Sequence, residues 1–449
     1  MARPKIAMIG GGSFNWSPKL IRDVVLTEEL QDAEFRLHDI NREAAEIIAA
    51  VGSRYSSEWN LGARFQPTTD LARALDGADF IVITIAAGGF DAMGHDMAIP
   101  ERYGIYQTVG DTVGPGGWAR GLRNIPVFAR FARSAARRCP RAMILNYSNP
   151  MGALTGTLSA LTSQPVVGLC HGLFECYEYL MNIFELKREE DIRIRYCGIN
   201  HFFWILDFSV KGQPGYPLLR RKLRGGKRLN DLIRKSYTNP YGDTRMRWLV
   251  TGELFEEFGY VPYMGDRHIS EFLSSYLAPN QKKIQEYHLQ RTAVADRRAW
   301  FRARRRAAIA LANGRSPLEK VRSRETAADI MAARWAKRDF VDVVNLPNVG
   351  QIANLPRGAV VETPGVVNML GFTPLACGEM PASLINLIMP HAVNQNLIVE
   401  AGIEGNWEKA YLALINDPLC SHLTIPETRK MGRELLEANR EHLPQFFGG

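Results

Sequence analysis

A chain of 449 residues is too long for one ordinary hydrophobic core and long enough for two closely joined domains. Its 46% hydrophobic and 23% charged residues exclude a disordered or low-complexity polypeptide, and no apolar run approaches the roughly 20 residues needed to span a bilayer. The net charge of +8 leaves polyanion binding open. Its excess, however, sits in two runs, 220–228 and 297–306, that read as solvated faces without any nucleic-acid motif.

The N-terminal apolar stretch is very short and runs into glycines, unlike a secretory signal, so a cytoplasmic location is expected. The six cysteines are too few for a disulfide scaffold and are expected as reduced thiols.

Residues 5–9 form a short apolar run that ends in Gly10-Gly11-Gly12-Ser13, the pattern of a buried strand and a glycine turn. A helix is expected from Pro18 to Leu30, with Ser17 as its N-cap and Pro18 at the first helical position. Residues 34–39 read as a second strand ending in an acid, 42–59 as a helix, 65–68 as a weak strand and 70–75 as a short helix. The β-branched run 80–85 suits a strand buried on both faces, and 142–147 and 165–169 repeat the pattern. This alternation predicts an α/β fold with a Rossmann-type doubly wound parallel sheet over residues 1–190. Beyond that point 193–207 and 208–210 read as longer, partly alternating strands and 220–340 as mostly helical. Short strands return over 343–364, followed by helices. Residues 191–449 are therefore expected to form a mixed α+β domain for substrate, metal and oligomerisation, with the active site between the two.

The N-terminal fingerprint is strand, Gly10-x-Gly12, helix, strand, acid. Gly10 allows a tight turn, and Gly12 lets the backbone approach a pyrophosphate that the helix N-terminus then stabilises. Ser13 and Phe14 lie in the same loop. Asp39 is placed to accept hydrogen bonds from ribose hydroxyls, which favours NAD over NADP. The third glycine of the usual pattern is replaced by Asn15. Asn149-Pro150, after a buried strand, resembles a motif that lactate and malate dehydrogenases carry near the nicotinamide, though a bare Asn-Pro also marks a turn.

Cys170 lies at a strand end in Gly168-Leu169-Cys170-His171-Gly172, and His201 follows another strand in Gly198-Ile199-Asn200-His201. A thiolate and an imidazole suit a divalent metal and leave positions open for substrate oxygens. A core cysteine and a structural histidine are the plainer alternative for this spacing.

Taken together these segments resemble glycoside hydrolase family 4 over nearly the whole chain. The most specific parts are Gly114-Pro115-Gly116-Gly117, residues 120–126 and 146–150, Cys170-His171-Gly172 and residues 198–201. Residues 344–348, 354–356, 360–364 and 400–401 follow in order. The resemblance implies a lactate/malate dehydrogenase-like fold and an NAD- and manganese-dependent glycosidase, an exception to the usual two-carboxylate mechanism. It implies oxidation of the sugar at carbon 3, loss of the carbon 2 proton, elimination of the aglycone, addition of water and re-reduction.

Carried over, Cys170 and His201 are the metal ligands, and Asn149 contacts the sugar and the nicotinamide. Asp111 corresponds to an acid that relatives carry in a Gln-Glu-Thr stretch, replaced here by Gly110-Asp111-Thr112. The base that takes the carbon 2 proton is expected in 265–272, with Asp266 and His268 ahead of Tyr263 as candidates.

Cys170-His171-Gly172 in place of Cys-Asn-x-Pro looks like the uronic-acid branch, α-glucuronidases and α-galacturonidases. His171 is therefore a substrate candidate, and Arg120, Arg123 or Arg267 would bind a carboxylate. The alternatives are an α-galactosidase or α-glucosidase of the same family, a plain NAD-dependent dehydrogenase, or an NAD-sensing regulator. A homodimer or homotetramer is expected by analogy, with no nucleic-acid or membrane partner.

Overall fold

The computed structural model describes residues 3–170, 172–232 and 248–448. Among the described residues thirteen strands form one sheet: β1 Lys5–Ile9, β2 Glu34–His38, β3 Arg64–Thr68, β4 Phe80–Ile83, β5 Met143–Asn146, β6 Val166–Gly168, β7 Ile192–Ile199, β8 Phe202–Val210, β9 Gln213–Pro214, β10 Val261–Pro262, β11 Phe340–Pro347, β12 Val360–Asn368 and β13 Gly371–Pro374. The first six are parallel in the order β3-β2-β1-β4-β5-β6, the strand order of a dinucleotide-binding domain. The apolar runs read from the sequence are these strands, and β4, β5 and β6 are buried along their whole length. β3 stands at the edge, where Pro67 costs no ladder hydrogen bond on the solvent side.

The sheet does not stop at β6. β11 pairs antiparallel with it through Asn345 and Gly168, and the order continues β12-β7-β8-β10. The short strands expected over 343–364 are two long antiparallel ones of eight and nine residues. The first helix is shorter than expected, Ser17–Val25, with Trp16 rather than Ser17 at the cap position. It stops because Thr27 turns extended before a single 3-10 turn, Glu28–Leu30.

The parallel sheet is sandwiched between two apolar layers. One is built on Ile6, Phe35, Phe80 and Leu145, the other on Ala7, Ile9, Ile81, Ile83 and Phe128. The arginine-rich helix Val294–Ala312 runs back over the nucleotide-binding half. Its Phe301 ring lies 5.5 Å from Phe14 and 5.7 Å from Phe90, while Arg298 and Arg305 pair with Asp91 and Glu43. Most of this helix is solvated, as read from the sequence, but Arg297 in its first turn is only partly exposed and Ala308 is buried. Among the described residues no helix is long and apolar enough to cross a membrane.

Candidate active site

The glycine turn leaves β1 and is fastened to the end of β2. The Gly10 and Gly11 N–H groups donate to the His38 carbonyl at 2.9 and 2.8 Å. Gly12 N–H donates to Asp39 Oδ2 at 3.0 Å, and Asn41 N–H to Oδ1 at 2.9 Å. A Cβ on Gly12 would stand 2.7 Å from Ala44 Cβ and 2.8 Å from that carboxylate, so only glycine brings the loop this close. Ser13 N–H closes the turn on the Gly10 carbonyl at 2.9 Å, and Phe14 is buried. Asp39 thus holds the loop as well as ending the strand where a ribose would sit.

Asn149 follows β5 in a segment held by side chains. Asn146 Oδ1 accepts from Ser148 N–H at 2.9 Å, and Ser148 Oγ accepts from Ile85 N–H at 2.9 Å. The Asn149 carbonyl accepts from Arg120 Nε at 2.9 Å, while its side-chain oxygen is buried with no partner among the described residues. A buried acceptor without a donor is a place for a ligand hydroxyl or amide.

The second part of the site comes from three chain segments. In the first, loop 110–112 rests on the N-terminus of helix Gly114–Arg138. A Cβ on Gly117 would lie 2.5 Å from the Thr112 carbonyl carbon, which explains the glycines of the Gly114–Gly117 motif. In the second, β7 and β8 are joined by a two-residue turn, Asn200-His201, with His201 left-handed at φ 63°. The third is the short helix Asp266–Ile269.

They bring Asp111, His201 and His268 together, with one ligand atom of each within 4.8 Å of the others. The two imidazole centroids are 4.0 Å apart. Thr112 Oγ1 donates to Asp111 Oδ1 at 2.8 Å, so its contact with His201 Nδ1 at 3.0 Å is one in which the imidazole donates. His201 Nε2 then keeps its lone pair, the form that binds a metal. Burial alone would raise the Asp111 carboxyl, but the positive charges around it, Arg120 and Arg297 among them, hold it below the usual carboxylate range. Burial holds His268 neutral.

Cys170, at the end of β6, lies outside this three-residue group. Its sulfur receives hydrogen bonds from the Asn200 side chain and the Gly172 N–H, and burial pushes the thiol up. Asn200 also donates to Glu362 Oε2 at 3.1 Å, so one side chain links Cys170, the turn carrying His201, and β12. Burial pushes Glu362 up to about 7. His171 lies outside the described residues.

Two sequence-based expectations are corrected. Asp266 does not face the cluster: its carboxylate caps helix Leu249–Phe258, accepting from Val250 N–H at 2.9 Å, Thr251 N–H at 3.0 Å and Thr251 Oγ1 at 2.6 Å. Arg123 is not free for a substrate: it closes a fully buried fork on Asp96 at 2.6–2.7 Å. Tyr263 stacks 5.9 Å from His201, and its hydroxyl donates to Glu175 at 3.4 Å.

Arg120 lies beside Asp111, and burial pushes it down to about 10. Arg267 donates to Thr292. Sequence reasoning missed Thr112, Asn200, Glu271 and Glu362, although all four stand inside quoted motifs. It also missed Arg297, hidden in a charge run.

The family 4 glycosyl hydrolase model matches residues 5–186, and the model of the family's C-terminal domain matches 196–420. An alpha-galacturonidase of Thermoanaerobacter italicus is 32% identical over 98% of this chain and 97% of its own. One of Bacillus subtilis is 34% identical over 92% and 93%. An alpha-galactosidase of Bacillus subtilis is 30% identical over 98% and 99%. The solved structure of lplD from Bacillus subtilis, described as a glucosidase, superposes with a TM-score of 0.87 at 31% identity, covering 97% of this chain and 100% of that one. A 6-phospho-alpha-glucosidase from gut microorganisms, in complex with NAD and Mn2+, shares the fold at a TM-score of 0.79 and 23% identity, covering 99% of each chain. With both halves matched in order and full-length relatives above 30% identity, the chain belongs to glycosyl hydrolase family 4.

Proposed function

We propose that this enzyme hydrolyses α-linked uronic-acid glycosides, α-galacturonides first and α-glucuronides second, using NAD and a divalent cation such as manganese. The observation that carries the reading is the convergence of Asp111, His201 and His268 from three segments, in a chain whose full-length relatives include alpha-galacturonidases.

The residues present fit both groups. The Gly12 backbone, with no room for a Cβ, and the half-exposed Asp39 carboxylate would hold NAD by its pyrophosphate and ribose. The unpartnered Asn149 oxygen would meet its nicotinamide end and the sugar. His201 and Cys170 would hold the cation through an imidazole nitrogen and a thiolate, with Asp111 and His268 close by. When bound, NAD supplies a hydride acceptor for carbon 3 and the cation supplies Lewis acidity to the sugar oxygens.

The protein's own part is positioning and proton transfer. His268, neutral and facing His201, is the group we assign to take the carbon 2 proton. Asp111, kept ionised, holds the Thr112 hydroxyl that fixes the His201 tautomer. Asp266 is left to its capping role.

The test is a panel of p-nitrophenyl α- and β-glycosides (galacturonide, glucuronide, galactoside, glucoside and 6-phospho forms) with and without NAD and manganese under reducing conditions. Release from an α-uronide that requires both additions and leaves no NADH behind is the expected result. Release from a neutral α-galactoside alone would move the enzyme to the galactosidase branch. NADH accumulating without glycoside cleavage would make it a dehydrogenase.

A further inference from the structure

Two arginines beside the site are buried at an atom that has nothing to bind. Arg297, in the first turn of helix Val294–Ala312, donates from Nη2 to the Val109 carbonyl at 3.0 Å, while its Nε is buried and unpartnered. Arg267, next to His268, donates from Nη2 to Thr292 Oγ1, and its Nε is likewise buried and unpartnered. Arg297 feels the charge of Arg267, and Asp111 is the carboxylate with the largest influence on it. Other arginines nearby are matched one to one: Arg123 with Asp96, Arg298 with Asp91, Arg291 with Glu101. Among the described residues neither Arg267 nor Arg297 has a carboxylate within ion-pairing distance. A desolvated guanidinium with an idle N–H is costly unless a ligand completes it.

We propose that Arg297 and Arg267 form the subsite that receives the carboxylate of the sugar substrate, with Arg297 as its principal donor. The inference rests on the uronidase reading and deepens it by naming the residues that make the preference. Two guanidiniums at the edge of the Asp111–His201–His268 cluster supply the positive charge that a monoanionic sugar lacks in water-poor surroundings. Each offers planar N–H donors that fit a planar carboxylate. A neutral galactoside would leave both Nε–H groups unpaired, so the pair selects against it as well as for the uronide.

The experiment is calorimetric titration of the NAD-loaded enzyme with D-galacturonate, D-galactose and D-galactose 6-phosphate. The proteins are the wild type, Arg297→Gln, Arg297→Lys and the double variant Arg267→Gln/Arg297→Gln. NAD affinity and melting temperature serve as folding controls. In the wild type galacturonate binds more tightly than the other two sugars. Arg297→Gln weakens galacturonate by about 10- to 100-fold, the size of a lost hydrogen bond to a charged group, and shrinks its preference over galactose by the same factor.

Arg297→Lys, which keeps the charge but not the fork, falls between. The double variant loses the preference altogether. If the wild type itself does not prefer galacturonate over galactose, the uronidase reading fails. If the wild type prefers it and the folded variants keep that preference, the subsite assignment fails while the reading stands. Tighter binding of the 6-phosphate than of galacturonate, lost in Arg297→Gln, would make the pair a phosphate site and overturn the proposal.

Discussion

Glu271 accepts the N–H of Gly110 at 2.9 Å, three residues past His268 and one residue before Asp111. The same oxygen takes the Val109 N–H at 2.6 Å and the Thr108 hydroxyl at 3.1 Å. One buried carboxylate therefore sets the distance between the two segments that carry Asp111 and His268. Glu271→Gln keeps an acceptor oxygen and should retain most of the activity. Glu271→Ala leaves two buried N–H groups unpaired, a loss of roughly 2–4 kcal/mol in urea unfolding, and lets the Asp111 loop drift, with kcat down about 10-fold or more. Equal kinetics for the two variants would show that the strap does not set the catalytic geometry.

The cation seat predicts a pattern across four substitutions. Cys170→Ser and His201→Ala should each abolish manganese binding, read by the free-ion resonance signal in solution, and with it metal-stimulated turnover. NAD binding should survive in both, because the glycine loop is on other elements. His268→Asn should retain manganese and lose turnover, as expected of a proton-transfer group. Asp111→Asn should weaken manganese only through the tautomer it imposes on His201 by way of Thr112. A chelator should silence the wild type reversibly. Manganese bound normally by Cys170→Ser but lost in His268→Asn would move the seat onto the Asp111–His201–His268 group.

Asp39 has two tasks. Its carboxylate accepts from Gly12 and Asn41 N–H groups, and it stands where the adenosine ribose would bind. Asp39→Asn removes the charge and turns one acceptor into a donor facing a backbone N–H. NAD affinity should fall about 10-fold, or about 1.4 kcal/mol. Discrimination against NADP should fall further, since the repulsion of a 2′-phosphate goes with the charge. Calorimetric titration with both nucleotides checks this, and an unchanged NAD/NADP ratio would remove Asp39 from ribose recognition.

Arg123 and Arg120 test the difference between a structural and a binding arginine on one helix. Arg123 and Asp96 form a fully buried fork, and removing one partner strands the other as an unpaired charge. Arg123→Met should therefore cost about 3–5 kcal/mol of stability, seen as a large drop in the urea midpoint. Arg120→Met breaks one bond to the Asn149 carbonyl and should act mainly on substrate and cofactor affinity. A comparable loss of stability in both would mean that Arg120 is structural too.

The parallel half of the fold was legible because its signals are local: apolar β-branched runs at β4, β5 and β6, and glycines before an acid-tipped strand. The continuation through β11 and β12 was not, because a pairing such as Asn345 with Gly168 joins residues far apart in sequence and leaves no periodicity to read. The site divides in the same way. Asp111, His201 and His268 stand in short motifs and were named. Asp266 and Arg123 stand in the same motifs but serve packing, because what each meets (the Leu249–Phe258 N-terminus, the buried Asp96) is set by tertiary contacts. Arg297 was passed over for the opposite reason. In a run of arginines Arg297 turns inward while Arg298, Arg302 and Arg306 are exposed, and composition does not distinguish them.

His391 gives the last prediction, one that concerns pH and stability. It lies in the interior of helix Ala382–Glu404 with its ring against Phe272 at 4.9 Å, and its Nε2 bonds the Phe272 carbonyl at 2.9 Å. Burial pushes its pKa down from 6.5 to about 4, only partly offset by that hydrogen bond. The folded chain therefore keeps His391 neutral where the unfolded chain protonates it. Between pH 6.5 and 4 the unfolded state binds the extra proton, so this contribution to stability is complete above about 6.5 and drains away as pH falls. The loss amounts to roughly 3 kcal/mol across that window. His391→Gln keeps a donor for the Phe272 carbonyl but cannot titrate. Urea midpoints measured from pH 7.5 to 4.5 should fall more steeply for the wild type than for His391→Gln, so that the two curves converge in acid. Parallel curves would show that His391 is not the proton acceptor that tips the balance toward unfolding.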